Sequence, residues 1–300
     1  MSNPKTATGR AVWDEKPTAA GQASKGVAIV VIALLILFPL YAVALTSLSS
    51  AETVNRVGGL VIWPGDGITF EAYEQMFRNK VVLRSLGVSL GITVVGTFIS
   101  VVVSILGAYA LSRPGSFGHR TILFSVLMMF VVFPGLIPVY LWISGLGLRD
   151  NYLSLILPMA VSAFNVVVLR AFFMNIPQEL FDSARIDGAG EFRILWQIVA
   201  PLSKAVIAVV TLFYAVGYWN NWFNAFLFMD STSKWPLALV LRTYVVESAP
   251  LPQTSGLETA PPTLAVKMAI VMVAIIPALI IYPFVQKHFK KGVIVGAVKG

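Results

Sequence analysis

Ile176–Leu202 reads IPQELFDSARIDGAGEFRILWQIVAPL, a polar, punctuated island between two long apolar segments. Pro177 stands where a helix begins, its missing N–H falling among donors that have no intrahelical partner. Glu179 and Asp182 follow in the first turns, near the positive end of the helix dipole. Ile176, Leu180 and Ala184 recur four apart and form one apolar face. Gly188 supplies the left-handed stop that a residue with a Cβ resists. Phe192, Leu195, Trp196 and Val199 then resume at i, i+3, i+4, i+7, and Pro201 is expected to end this second helix. The spacing predicts a helix–Gly–helix elbow with an apolar and charged outer surface, shaped to dock.

Around the elbow lies a chain of 300 residues, 57% hydrophobic and 12% charged, with a mean hydropathy of +0.80. That is more apolar side chain than one soluble core buries. Six segments hold the excess, at 26–48, 84–112, 121–146, 152–174, 204–229 and 264–286. Each reaches the roughly 20 residues that cross a hydrocarbon layer of about 30 Å. None shows the alternation of barrel strands, so helices are expected. The fold class is an all-α integral membrane protein with six transmembrane helices and the elbow between helices 4 and 5. Residues 1–25 read as a flexible tail, 26–286 as the membrane domain and 287–300 as a C-terminal tail. The first apolar segment is about twice the length of a signal-peptide core, and Asp14 and Glu15 stand in its leader. It is therefore read as an uncleaved helix.

The net charge of +8 is a topology signal, because fourteen of the 22 Lys and Arg fall on the side of the two termini and the elbow. The positive-inside rule puts that side in the cytoplasm. No nucleic acid is needed to explain the surplus. Cysteine is absent, which removes disulfides and thiolate metal sites. His119 and His288 have no partner at ligand spacing, so neither a metal nor a cofactor is expected.

Pro134 and Pro138 are expected to interrupt the third helix. Thr69 is placed to cap a short helix through Phe77 in the first external loop, either lying on the bilayer or docking an extracytoplasmic partner. The fifth segment carries a dense polar set, Tyr214, Tyr218, Trp219, Asn220, Asn221, Trp222 and Asn224, and the fourth carries Asn165. Amides in hydrocarbon need partners or water. One reading is a hydrated translocation pathway through Asn165, Tyr214, Tyr218, Asn220, Asn221 and Asn224. The other is an aromatic belt near the interface with amides gluing helices together. The residues alone leave both open.

The run D-S-A-R-I-D-G, with Ile198 and Pro201 downstream, resembles the E-A-A-x-x-x-G, nine residues, I-x-L-P signature of binding-protein-dependent ABC importer permeases. Ala184, Gly188, Ile198 and Pro201 match in spacing, while Asp182 replaces Glu, Ser183 replaces Ala and Ala200 replaces Leu. Ala108–Arg113, AYALSR, and the terminal Gly296-Ala297-Val298-Lys299-Gly300 are similar to stretches of sugar-transporting members, most closely the maltose-system G-subunit type in its complex-oligosaccharide branch. The resemblance implies that Glu179, Asp182, Ser183, Ala184, Asp187, Gly188, Ile198 and Pro201 form a coupling elbow seated in the ATP-binding subunit. It also implies that Gly296, Val298, Lys299 and Gly300 reach into the ATPase pair. The implied partners are an ATP-binding cassette subunit pair, a second homologous permease, an extracytoplasmic solute-binding protein, a sugar substrate and the lipid bilayer of the cytoplasmic membrane. The chain has no G-x-x-x-x-G-K-[ST] loop, so ATP hydrolysis falls to the partners and this subunit is not an enzyme. An importer of a non-sugar solute is the nearest alternative. A secondary transporter is further off, since the six segments contain no carboxylate.

Overall fold

The computed structural model describes residues 18–246 and 263–280, apart from 64, 66, 114, 116, 117, 133 and 278. All regular structure among the described residues is helical. The centre is α4, Lys80–Ser112, once the earlier helices α1, Ala19–Ser47, α2, Ala51–Val57, and α3, Glu71–Arg78, have passed. Asn79 starts α4 by accepting the Val81 N–H at 3.0 Å. Along α4 the residues Ser85, Ser89, Thr93, Gly96, Ser100, Ser104, Ala108 and Ser112 are buried at steps of three and four. Small residues on one stripe let other helices approach closely, which is how membrane helices gain packing without a hydrophobic driving force.

Two neighbours use that stripe: α8, Ala163–Met174, and α11, Lys204–Trp219, both packed along α4. A Cβ on Gly96 would lie 2.8 Å from the Tyr218 ring, so only glycine fits there. Two hydroxyl rungs follow, Ser100 to Tyr218 at 2.8 Å and Ser104 to Tyr214 at 2.7 Å.

Between α4 and α8 lie α5, His119–Val131, α6, Leu136–Gly145, and α7, Leu153–Met159. After α8 come α9, Gln178–Ile186, and α10, Glu191–Leu202. Beyond α11 are α12, Trp222–Phe228, α13, Leu237–Leu241, which continues as a π turn over Arg242–Val246, and α14, Leu264–Pro277.

The six expected segments are largely helical where described, and among the described residues only α1 and α4 are single helices long and apolar enough to cross a membrane. The third is two helices, α5 and α6, parted around Pro134. Pro138, by contrast, lies in the first turn of α6, where a missing N–H costs nothing. The fourth bends by 48° between α7 and α8. Tyr218 donates to the Ile156 carbonyl at 3.0 Å, and Tyr214 accepts the Ser162 N–H at 2.9 Å, on either side of that bend. Backbone groups freed by a bend in hydrocarbon need such partners. The fifth stops at Trp219 and resumes as α12, which Asn221 caps by accepting the Asn224 N–H at 3.3 Å. The sixth is helical from Leu264, and its expected end beyond 280 lies outside the described residues. Most of α1 is exposed, with burial confined to its end at Ala42–Ser47. There it meets α3, α13 and α14 in a second apolar cluster containing Leu45, Met76, Val240 and Ala269. Thr69 accepts the Glu71 N–H at 3.2 Å, so α3 begins just past the expected cap.

Candidate functional site

The elbow is closed by a compact turn. Gly188 has φ +76°, its N–H donates to the Arg185 carbonyl at 3.0 Å, and the Ala189 N–H donates to the Ala184 carbonyl at 2.9 Å. This pair of bonds is the Schellman ending, which needs a left-handed residue at that place. Pro177 caps α9 from just outside rather than forming its first turn. Glu179 is exposed in that turn, Asp182 accepts from Gln178 Nε2 at 3.0 Å and lies 3.7 Å from Arg185, and Ser183 accepts the Asp187 N–H through its carbonyl at 3.0 Å.

The buried faces differ from the spacing-based expectation. Phe181 and Ala184 face the bundle from α9, while Leu180 is exposed. In α10, Ile194, Leu195 and Val199 are buried, Ile198 is half-buried, and Phe192 and Trp196 face outward. A π turn covers Leu195–Val199 and shifts the phase of the side chains beyond it. Pro201 does not end the helix, which runs on to Leu202. The carbonyl a proline at 201 displaces belongs to Gln197, inside the wider π turn. At Ser203 the chain turns by 87° into α11. Ile186, 86% exposed, and Phe192, 71% exposed, lead the outward apolar surface, and Glu179 and Asp187 are exposed as well.

Next to this surface, with Glu191 and Arg185 themselves about half exposed, is a knot that sequence reasoning missed. The Tyr109 hydroxyl, at the end of α4, donates to Glu191 Oε2. Arg185 Nη2 donates to the other carboxylate oxygen at 2.9 Å. Arg113 Nη2 donates to the Tyr109 hydroxyl at 3.3 Å, and its guanidinium lies 3.6 Å from the centroid of the Phe181 ring. The Tyr109 hydroxyl and the Arg185 guanidinium hold the Glu191 carboxyl below the usual carboxylate range, against the opposing effect of partial burial. From α8, Arg170 Nε donates to the Leu111 carbonyl at 2.7 Å and ties a third helix to the same end of α4.

The polar set of the fourth and fifth segments divides. Asn165 and Tyr214 line a cavity of about 520 Å³ at the α7–α8 bend, together with Met159, Ser162, Phe164 and Phe213. Tyr214 and Tyr218 are buried and also hold the rungs to α4. Asn220 is exposed, and its amide donates to the Val216 carbonyl at 2.9 Å. Asn221 donates to Met159 Sδ at 3.0 Å, and Asn224 is half-buried beside it in α12. Gly296, Val298, Lys299 and Gly300 lie outside the described residues. Among the described residues no group of three or more His, Asp or Glu is arranged to hold a metal ion.

At the opposite end of α4 a second charged group closes the bundle. Asp150, in a left-handed conformation with φ +54°, accepts from Lys234 Nζ at 2.7 Å and from the Ser231 hydroxyl and N–H at 2.6 and 2.9 Å. Its own N–H donates to the Phe228 carbonyl at 2.8 Å. Next to it, Arg149 pairs with Asp230 at 2.7 Å.

Comparison with known proteins gives one consistent result. Over 271 residues the chain is 42% identical to protein LplC of Bacillus subtilis (strain 168), covering 89% of this chain and 90% of that one. It is 40% identical over 275 residues to the polygalacturonan/rhamnogalacturonan transport system permease protein YtcP of the same organism, covering 91% and 96%. A chain in the crystal structure of a bacterial ABC transporter involved in the import of the acidic polysaccharide alginate matches with a TM-score of 0.82 at 30% identity, over 92% of this chain and 100% of that one. Residues 106–295, which include the elbow, the knot and the cavity, match the family described as binding-protein-dependent transport system inner membrane component, and the chain belongs to that family.

Proposed function

We propose that this chain is the membrane-spanning permease subunit of an ATP-driven importer. It passes an oligosaccharide, delivered by an extracytoplasmic binding protein, across the cytoplasmic membrane. Its elbow docks on a separate ATPase pair, and a second homologous permease completes the pore. The family match over 106–295 carries this reading, and the names of YtcP and of the alginate importer favour a sugar polymer fragment over other solutes. Both termini are assigned to the cytoplasm. The C-terminal residues Gly296, Val298, Lys299 and Gly300 are assigned to the ATPase interface.

The bonds within the chain support one path from ATP to solute. Closure of the ATPase pair moves the outward surface of α9 and α10. The turn at Ser203 passes that motion to α11, whose Tyr214 and Tyr218 hold the α7–α8 bend beside the cavity. Energy enters as tighter nucleotide binding to one of two arrangements, not as a push on a passive pore. Asn165 and Tyr214 face the cavity and are the candidates to meet sugar hydroxyls.

The test is ATP hydrolysis by the reconstituted complex with and without sugar-loaded binding protein. Gly188→Val strains a left-handed turn that a β-branched residue resists, and Asp182→Lys reverses a charge on the docking face. Both variants are expected to insert, yet to lose binding of the ATPase pair or the response to loaded binding protein. Wild-type stimulation in both would remove the elbow from the mechanism.

A further inference from the structure

We propose that Tyr109 and Glu191 form the linkage that ties the elbow to the core of the membrane domain, acting as positioning residues for coupling. The proposal rests on the elbow being the docking point of the ATPase pair, and goes beyond it by naming what carries the displacement inward.

Three elements meet at one carboxylate. Glu191 belongs to α10, Arg185, which pairs with one of its oxygens at 2.9 Å, belongs to α9, and Tyr109, which donates to the other, belongs to α4. The two elbow helices are therefore joined to each other and to α4 through the same group. Tyr109 is only 8% exposed, and Arg113 binds its hydroxyl and covers Phe181 of α9. When the elbow moves, either the end of α4 moves with it or the Tyr109–Glu191 bond breaks.

Tyr109 adjoins Ala108 of the buried stripe of α4. Further along that stripe Ser104 meets Tyr214, and Ser100 meets Tyr218 a turn beyond. Those tyrosines hold Ser162 and Ile156 on the two sides of the α7–α8 bend. Contiguity alone does not make a path; shared bias of one element by two sites does. Here the shared element is α4. It is held at one end by a bond to the elbow and along its length by bonds to the cavity wall.

The bond is also built to be separable from docking. Tyr109 lies behind the elbow and presents no surface to a partner, so its hydroxyl can be removed without altering the docking face. Glu191→Gln keeps an oxygen to accept from Tyr109 while discarding the charge that attracts Arg185. Glu191→Ala removes both.

The experiment uses the reconstituted complex with its ATPase pair and loaded binding protein. Three quantities are read: co-purification of the ATPase pair, stimulation of ATP hydrolysis by loaded binding protein, and sugar uptake. Tyr109→Phe is expected to retain the ATPase pair and to lose stimulation by about fivefold, the low end of measured coupling between sites. Glu191→Ala is expected to match it, with Glu191→Gln restoring part of the loss. The double variant Tyr109→Phe/Glu191→Ala is expected to be no worse than either single change, as two ends of one bond require. Wild-type stimulation in Tyr109→Phe, or losses that multiply in the double variant, would overturn the linkage. If Gly188→Val and Asp182→Lys uncouple the same complex while Tyr109→Phe does not, the elbow reading stands and only the linkage fails. If neither Gly188→Val nor Asp182→Lys uncouples, the elbow reading itself has failed.

Discussion

The two ends of α4 are each closed by an acid, a cation and a hydroxyl, but the bonds are of different kinds. Around Asp150 they reach the backbone: its N–H goes to Phe228, its side chain takes the Ser231 N–H, and Lys234 contacts both its carboxylate and its carbonyl. The Glu191 carboxylate is held by side chains, Tyr109 and Arg185, though Arg170 also reaches the Leu111 carbonyl at this end. Backbone bonds fix the path of the chain. Side-chain bonds hold helices in register while leaving rotamers free to follow a displacement. The first end is a clamp, and the second is a joint with apolar side chains left outward beside it.

The strongest test of this contrast is to disturb the helix both ends share. Gly96→Leu drives a side chain into the Tyr218 ring, where a Cβ alone would lie at 2.8 Å. Overpacking of this kind is expected to cost about 3 kcal/mol and to lower the thermal midpoint of the detergent-solubilised protein sharply. A midpoint like that of wild type would show that α11 can stand off from α4.

Asp150→Ala comes next. It strips Lys234 and Ser231 of their acceptor and puts a Cβ-bearing residue without a polar head at φ +54°. The expected loss is about 2 kcal/mol, in the range of hydrogen bonds to charged groups, with Asp150→Asn in between. The Lys234 ammonium and the Ser231 donors hold the Asp150 carboxyl well below the usual carboxylate range. A depressed folded pKa means the stabilisation is complete above the unfolded value near 4 and fades as pH falls toward the folded one. The difference in midpoint between wild type and Asp150→Asn is therefore expected to stay level from pH 8 to about 5 and to shrink below. A difference that grows on acidification would break the assignment of the clamp to the ionised form.

Tyr109→Phe is the mirror case. It is expected to shift stability by no more than about 1 kcal/mol, since water reaches the Glu191 carboxylate, while its effect appears in coupling. A large fall in midpoint would make the knot a second clamp and erase the contrast. Smallest of all is Asp230→Asn. The pair with Arg149 is roughly half exposed on both sides, and loss of so solvated a pair is expected to leave the midpoint where it is in wild type.

The sequence was most readable where a constraint closes locally. The turn at Gly188 is complete within Ala184–Ala189, and its demand for a left-handed residue is visible in the letters. The break near Pro134 is visible for the same reason. The bend at Ala160–Ser162 and the stop at Trp219 are not, because apolar residues on both sides average into one long segment. They also depend on hydroxyls supplied from other helices. Glu191 stands in the first turn of α10, where an acid is ordinary, and Tyr109 falls within a family-like stretch. Their pairing spans 82 residues of chain, and no local pattern records it. For Tyr214 the two readings of the polar cluster meet in one residue, whose ring borders the cavity while its hydroxyl joins α4 and Ser162.

The π turn in α10 has a consequence for how this region is aligned and engineered. An α-helix advances about 100° per residue, and a π turn absorbs one surplus residue without ending the helix. Over Leu195–Val199 that surplus sets the azimuth of Phe192 against that of everything after Val199. The nine residues between Gly188 and Ile198 are thus a phase as much as a length. Deleting one of them would keep a helix but rotate its outward face by about a quarter turn relative to α11. A gap placed here in an alignment is a change of angle.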